Sequence, residues 1–165
     1  MKIALSTDHA GFEKLKQLKE FLSSSGHECL NFGPKSYQPD DDYPDFIRPA
    51  AEAVARGECQ AGIIFGGSGQ GEAMTANRVP GARCAVYYGP AKAIDALDIG
   101  GSSAADEYEI LRLSRTHNDA NMLSLAGRFL SNESVEIVVS IWLNTAFSGE
   151  QRHVRRIKKI DGAAT

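Results

Sequence analysis

Short apolar runs alternate along the chain with longer stretches whose apolar residues recur at helical spacing. IALST (3–7) precedes a predicted helix over about 12–24, and ECLNF (28–32) precedes one over about 45–55. GIIFG (62–66) leads into a short helix from about residue 71, and RCAVYY (83–88) into helical sequence reaching about residue 116. MLSLAG (122–127) is followed by a helix over roughly 132–146, and a basic helix is expected at about 149–160. Strand-length runs separated by helices predict an α/β fold, with five strands in a parallel sheet and helices on both faces. In such sheets ligands gather beyond the carboxyl ends of the strands, so the residues just after each run deserve the closest reading.

The 165 residues fit one domain, 1–165, long enough to bury a core without staples. One stretch breaks the pattern: IDALDIGGSSAADEYEI (94–110), where Gly100-Gly101-Ser102-Ser103 interrupts helical sequence. It reads as an inserted loop between two helical pieces, either a solvated insertion or a lid or subunit contact. The net charge of −3 gives no overall pull toward nucleic acid or an anionic membrane, so any anion site must be local. Neither a signal peptide nor a long apolar segment is evident, and the chain is expected to be soluble and cytoplasmic. Cys29, Cys59 and Cys84 are odd in number and widely spaced, which suggests neither a disulfide framework nor a zinc site.

The candidate chemistry centres on FGGSGQGEAM (65–74). A glycine loop between strand and helix leaves backbone N–H groups free to stabilise negative charge. Gly66 and Gly71 fit part of a nucleotide P-loop, but Glu72 stands at the lysine position and would repel a triphosphate. The dinucleotide pattern also fails, because Gly67 and Gly69 are followed by Glu72 where the third glycine belongs. A cradle ending in a carboxylate suits removal of a carbon-bound proton beside a developing oxyanion. Glu72 is then the base, Ser68 a donor to a substrate hydroxyl, and Gly67, Gly69 and Gly71 the cradle. The plain alternative is a tight turn whose glutamate favours the helix dipole.

Other strand ends carry further candidates. Asp8 and His9, after the first strand, could orient and protonate sugar hydroxyls, or Asp8 could simply cap the next helix. His117 and Asn118 in RTHND (115–119) suit proton shuttling to a ring oxygen, against the alternative of surface residues. Arg152 and Arg156, at i and i+4 in QRHVRRIKKI (151–160), could grip one phosphate, with Arg128 after the fifth strand a third candidate. A solvated basic helix or a weak nucleic-acid patch is the alternative for that run.

DHAG (8–11), GGSGQGE (66–72), THND (116–119) and the paired arginines, in this order, resemble the type B ribose-5-phosphate isomerases and the related galactose-6-phosphate isomerase subunits. The resemblance runs from Met1 to about residue 160, broken by the 94–110 segment. It implies a Rossmann-like three-layer α/β/α sandwich, a homodimer or tetramer with shared active sites, and no metal or cofactor. It assigns Asp8 and His9 to sugar contacts, Tyr43 of the D-Y-P run to the pocket wall, and His117 to ring opening with Asn118 beside it. Arg128, Arg152 and Arg156 would bind phosphate, with His153 nearby. Many members of that family carry a cysteine base immediately after the third strand, where this chain has Gly66. A second branch carries G-G-S-G-x-G-E and uses the glutamate, which implies Glu72 as base. The activity implied is aldose–ketose isomerisation of ribose 5-phosphate through an enediolate. The alternatives are another sugar phosphate with six or four carbons, or a non-catalytic sugar-phosphate sensor; no nucleic-acid or membrane partner is expected.

Overall fold

A computed structural model describes residues 1–98 and 100–162. Five strands form one sheet: β1 (Lys2–Ser6), β2 (Glu28–Asn31), β3 (Ala61–Gly66), β4 (Cys84–Tyr87) and β5 (Met122–Ala126). Every pairing is parallel and the order is β2-β1-β3-β5-β4. The helices are α1 (Phe12–Ser24), α2 (Tyr43–Ala55), α3 (Gln70–Ala76), α4 (Glu109–Thr116), α5 (Asn132–Asn144) and α6 (Gln151–Ile160), with a 3-10 turn at His9–Gly11. This is the parallel α/β sheet expected from the alternation of strand and helix, in the Rossmann-like arrangement that the resemblance implies.

The chain divides into two compact units, Met1–Tyr88 with Ala120–Ile137, and Gly89–Asp119 with the chain from Val138 onward. The first holds the whole sheet. The period-two alternation of its strands sorts their side chains onto two faces. Ala4, Ile64 and Met122 face α2 and α3, where they join Ile47, Ala50, Val54 and Ala76 in one buried cluster. The alternate positions Ile3, Leu5, Ile63, Phe65, Leu123 and Leu125 are all fully buried on the opposite face. There α1 packs against β1 and β2 and buries Leu15, Leu18 and Leu22. Central strands covered on both faces explain why GIIF and MLSL read as continuous apolar runs rather than alternating ones.

The second unit contains the segment that breaks the sequence pattern. Where the sequence predicts a helical piece before the insertion, residues 89–98 contain no helix, and α4 begins only at Glu109. Gly89 and Pro90 open the segment, and side chains then compete for its backbone. Asp98 Oδ1 accepts from the N–H groups of Gly100 (2.8 Å) and Ser102 (3.2 Å), while Asp98 Oδ2 accepts from Ser102 Oγ (2.9 Å). Farther on, Trp142 is buried and donates its ring N–H to Ser114 Oγ at 3.1 Å, tying α5 to α4.

The packing between sheet and α2 leaves no room at Gly62, where an added Cβ would lie 2.9 Å from Met122 Cε and 3.1 Å from Val54 Cγ2. Gly62→Val is expected to destabilise the protein by about 1–3 kcal/mol through overpacking, read as a lower Tm in thermal unfolding.

Candidate active site

Strand order places the site. After β1 the chain pairs β2 on one side and then crosses to pair β3 on the other, so a crevice opens beyond the ends of β1 and β3. Asp8 and His9 follow β1; the loop from Gly67 to Gly69 and then Glu72 follow β3. Beside them, β5 continues its ladder past its own end: Gly127 N–H donates to Gly66 O (2.8 Å) and Arg128 N–H to Gly67 O (3.2 Å). That register brings Arg128 over the loop. Together these segments line a pocket of about 760 Å³, with Tyr43 from the start of α2 in its wall.

The loop is shaped by what its glycines lack. An added Cβ at Gly66 would coincide with the carboxyl group of Glu72, so the space above the end of β3 is filled by that carboxyl instead of a side chain from the strand. An added Cβ at Gly71 would meet the Tyr43 hydroxyl at 2.5 Å, so the bare residue lets the phenol approach. Gly69 does not line the pocket. It turns the chain into α3 with φ +76°, and its carbonyl accepts from the buried Ser124 Oγ at 2.6 Å. Ser68 does line the pocket, and its Oγ accepts a long bond from Gln70 N–H at 3.4 Å.

Glu72 is 4% exposed. Burial pushes its carboxyl above the ordinary glutamate range, its own backbone N–H works against that, Asp8 raises it further and His9 lowers it. A carboxyl whose proton is held more tightly than usual is matched to taking up a proton from carbon. Asp8 does two things at once: Oδ1 accepts from Ala10 N–H (2.9 Å), capping the 3-10 turn, while the residue also lines the pocket. His9 is held by a residue the sequence reading did not single out, Asp41. Asp8, His9 and Asp41 bring donor atoms within 4.8 Å of one another, spacing that could hold a cation, but His9 Nδ1 is already hydrogen-bonded to Asp41 Oδ1 at 2.7 Å.

The remaining candidates lie in the second unit. His117 caps the end of α4 and stacks on His153, with ring centroids 4.1 Å apart and planes 16° from parallel. Burial holds His153 below the usual histidine range, with His117 and Arg152 adding to the effect and Glu150 opposing it. Arg152 Nε is hydrogen-bonded to His153 Nε2 (3.2 Å) and lies 2.9 Å from Glu150 Oε2, with Asp98 at 3.9 Å. Asn118 and Arg156 are exposed. Besides Asp41, sequence reading missed Ser124, for which a signal existed: it is the polar residue inside the apolar run MLSLA.

Comparison with known proteins now bears on this arrangement. The family model described as Ribose/Galactose Isomerase matches residues 3–100 and 101–160. Ribose-5-phosphate isomerase B of Mycolicibacterium paratuberculosis is 36% identical over 157 residues, which cover 95% of this chain and 87% of that protein. The structure of ribose-5-phosphate isomerase B from Clostridium thermocellum superposes with a TM-score of 0.83 at 36% identity, covering 98% of this chain and 96% of the other. That of Mycoplasma genitalium with bound ribulose-5-phosphate gives 0.82 at 30% identity, covering 98% and 94%.

The raised carboxyl of Glu72 carries a stability signature. Its proton is bound more tightly in the folded than in the unfolded chain, so stability falls as pH rises from the ordinary glutamate value through the folded one. Glu72→Gln removes that penalty. The Tm of the variant is expected to exceed that of the wild type near about pH 8, with the gap closing below about pH 4; a gap independent of pH would contradict the assignment.

Proposed function

The chain belongs to the ribose/galactose isomerase family, and on that premise we propose that it interconverts ribose 5-phosphate and ribulose 5-phosphate through an enediolate. The observation that carries this reading is the carboxyl of Glu72, buried in the space left open at Gly66 beside a loop of bare backbone. Supporting it are the named relatives and the bound ribulose-5-phosphate of the Mycoplasma genitalium structure.

In this reading Arg128, Arg152 and Arg156 hold the phosphate, and His117, with Asn118 beside it, gives a proton to the ring oxygen as the bond between C1 and that oxygen breaks and the C1 hydroxyl loses its own proton to water, so that the furanose opens to the aldehyde. Asp8 and His9 bind hydroxyls, and Tyr43 closes the wall. Glu72 then removes the proton from C2, and the electron pair of that C–H bond forms the C1–C2 double bond as the carbonyl oxygen becomes an oxyanion. Ser68 and the N–H groups of Gly67 and Gly71 stabilise that charge; the O2 proton then passes to O1 while Glu72 returns its proton to C1, leaving a hydroxymethyl group at C1 and the ketone at C2. Proton transfer by a carboxylate next to fixed backbone dipoles gives the reaction its charge stabilisation with no metal or cofactor step. No helix among the described residues is long and apolar enough to cross a membrane. The enzyme is proposed to act in the cytoplasm, as a homodimer or tetramer with active sites shared between subunits.

The test is incubation with ribose 5-phosphate in D2O plus EDTA, following ribulose 5-phosphate and deuterium at the transferred position by NMR. Ketose formation with exchange is expected. Turnover of only six- or four-carbon sugar phosphates would change the substrate, and binding without exchange would make the protein a sensor. Glu72→Gln is expected to lower kcat by about 10²–10⁴-fold, the usual worth of a general base, with sugar-phosphate binding still measurable by calorimetry. Near-wild-type turnover would remove Glu72 as base. Arg152→Ala is expected to raise KM by about 10- to 100-fold, the loss of a charged hydrogen bond, with kcat little changed; an unchanged KM would take Arg152 out of the phosphate site.

A further inference from the structure

Asp41 has no part in the chemistry so far, yet its position is unusual. It lies in the run Asp40-Asp41-Asp42 between β2 and α2, with its side chain only 7% exposed, and it lines the pocket. Its Oδ1 accepts two hydrogen bonds from a single residue, from the backbone N–H of His9 at 3.0 Å and from His9 Nδ1 at 2.7 Å. Its Oδ2 is buried and finds no donor among the described residues. A buried carboxylate oxygen without a partner is costly, so the residue is not kept there for stability. What it does accomplish is local: it grips His9 by backbone and ring together.

The chemistry of that grip is definite. An ionised carboxylate can only accept, so the proton of the neutral imidazole must sit on Nδ1, and Nε2 is left as a bare acceptor. Without the carboxylate a neutral imidazole favours the opposite tautomer, with Nε2–H as a donor. His9 lines the pocket with Asp8 and Glu72, close enough to Glu72 to act on its charge. Resting on the isomerase reading above, we propose that Asp41 is a positioning residue: through Oδ1 it fixes the ring and tautomer of His9 so that Nε2 accepts a hydrogen bond from a hydroxyl of the open-chain sugar phosphate.

The tautomer can be read without any turnover, by long-range proton–nitrogen correlation of the histidine rings in the full-length protein. The His9 signals are assigned by their loss in His9→Asn. The wild type is expected to show His9 as the Nδ1–H tautomer. Asp41→Ala should move it to Nε2–H and lower kcat for ribose 5-phosphate by about 10- to 100-fold, the worth of one or two hydrogen bonds, with KM within about threefold. Asp41→Asn, whose amide oxygen can still accept both bonds, should restore the tautomer and bring kcat to within about fivefold of the wild type. Asp40→Asn, which removes the same charge from an exposed neighbour, should change neither. A His9 ring that stays Nδ1–H in Asp41→Ala, a wild-type ring in any other state, or an Asp41→Ala enzyme with unchanged kcat overturns the proposal. If the wild type itself fails to turn over ribose 5-phosphate, the isomerase reading falls, and the tautomer series by itself upholds or overturns the coupling of Asp41 to His9.

Discussion

A side chain at position 66 and the carboxyl group of Glu72 cannot occupy the same space. The site depends on that exclusion. β3 is buried along its whole length, and strand alternation puts position 66 on the face that α3 covers, together with Gly62 and Ile64. A residue with a Cβ there would fill the floor of the pocket from the strand. With glycine, α3 folds its own carboxylate, that of Glu72, back onto the sheet. Where the resemblance implies a cysteine after this strand in many relatives, this chain has no side chain at all, and the vacated volume admits the carboxyl of the base proposed above, from the first turn of α3.

The rest of the pocket is arranged around the reversal of strand order at β1. Because β3 pairs β1 on the side opposite β2, the turn carrying Asp8 and His9 and the loop carrying Ser68 and Glu72 end in one crevice. The loop is supported from below by Ser124, whose hydroxyl satisfies the carbonyl of Gly69 in an otherwise apolar strand. It is supported from the side by the continued β3–β5 ladder, which also carries Arg128 into place. Backbone pairing therefore sets the distance between the cationic residue and the loop. No flexible side chain has to find it.

Two carboxylates in this region work against stability. Glu72 is buried in a surrounding that favours its neutral form, and Asp41 holds one oxygen without a donor. Folded domains are marginally stable, and departures of this kind from full pairing collect where function requires them. Both lie on the same pocket, one following β3 and the other preceding α2. The cysteines show the contrast: burial raises the thiols of Cys29, Cys59 and Cys84, which keeps them protonated and inert.

The alternation of apolar runs and helical stretches was enough to define five parallel strands and their helices, because burial on both faces leaves a continuous apolar signature in each central strand. It was also enough to single out Asp8, His9, Ser68 and Glu72, which line one pocket, because ligands in such sheets gather beyond the carboxyl ends of the strands. The loop at 94–110 was legible from its glycines and serines, but the piece before it, 89–93, was misread as helical: no helix forms there, where Gly89 and Pro90 follow β4. Asp41 was illegible for a different reason. Three consecutive aspartates look alike in sequence, and only the path from β2 to α2 decides that the middle one turns inward onto His9 while Asp40 stays exposed. Periodicity records which face of an element is buried. Which atoms meet across a crevice depends on the crossing of distant strands, and that is settled only when the chain is folded.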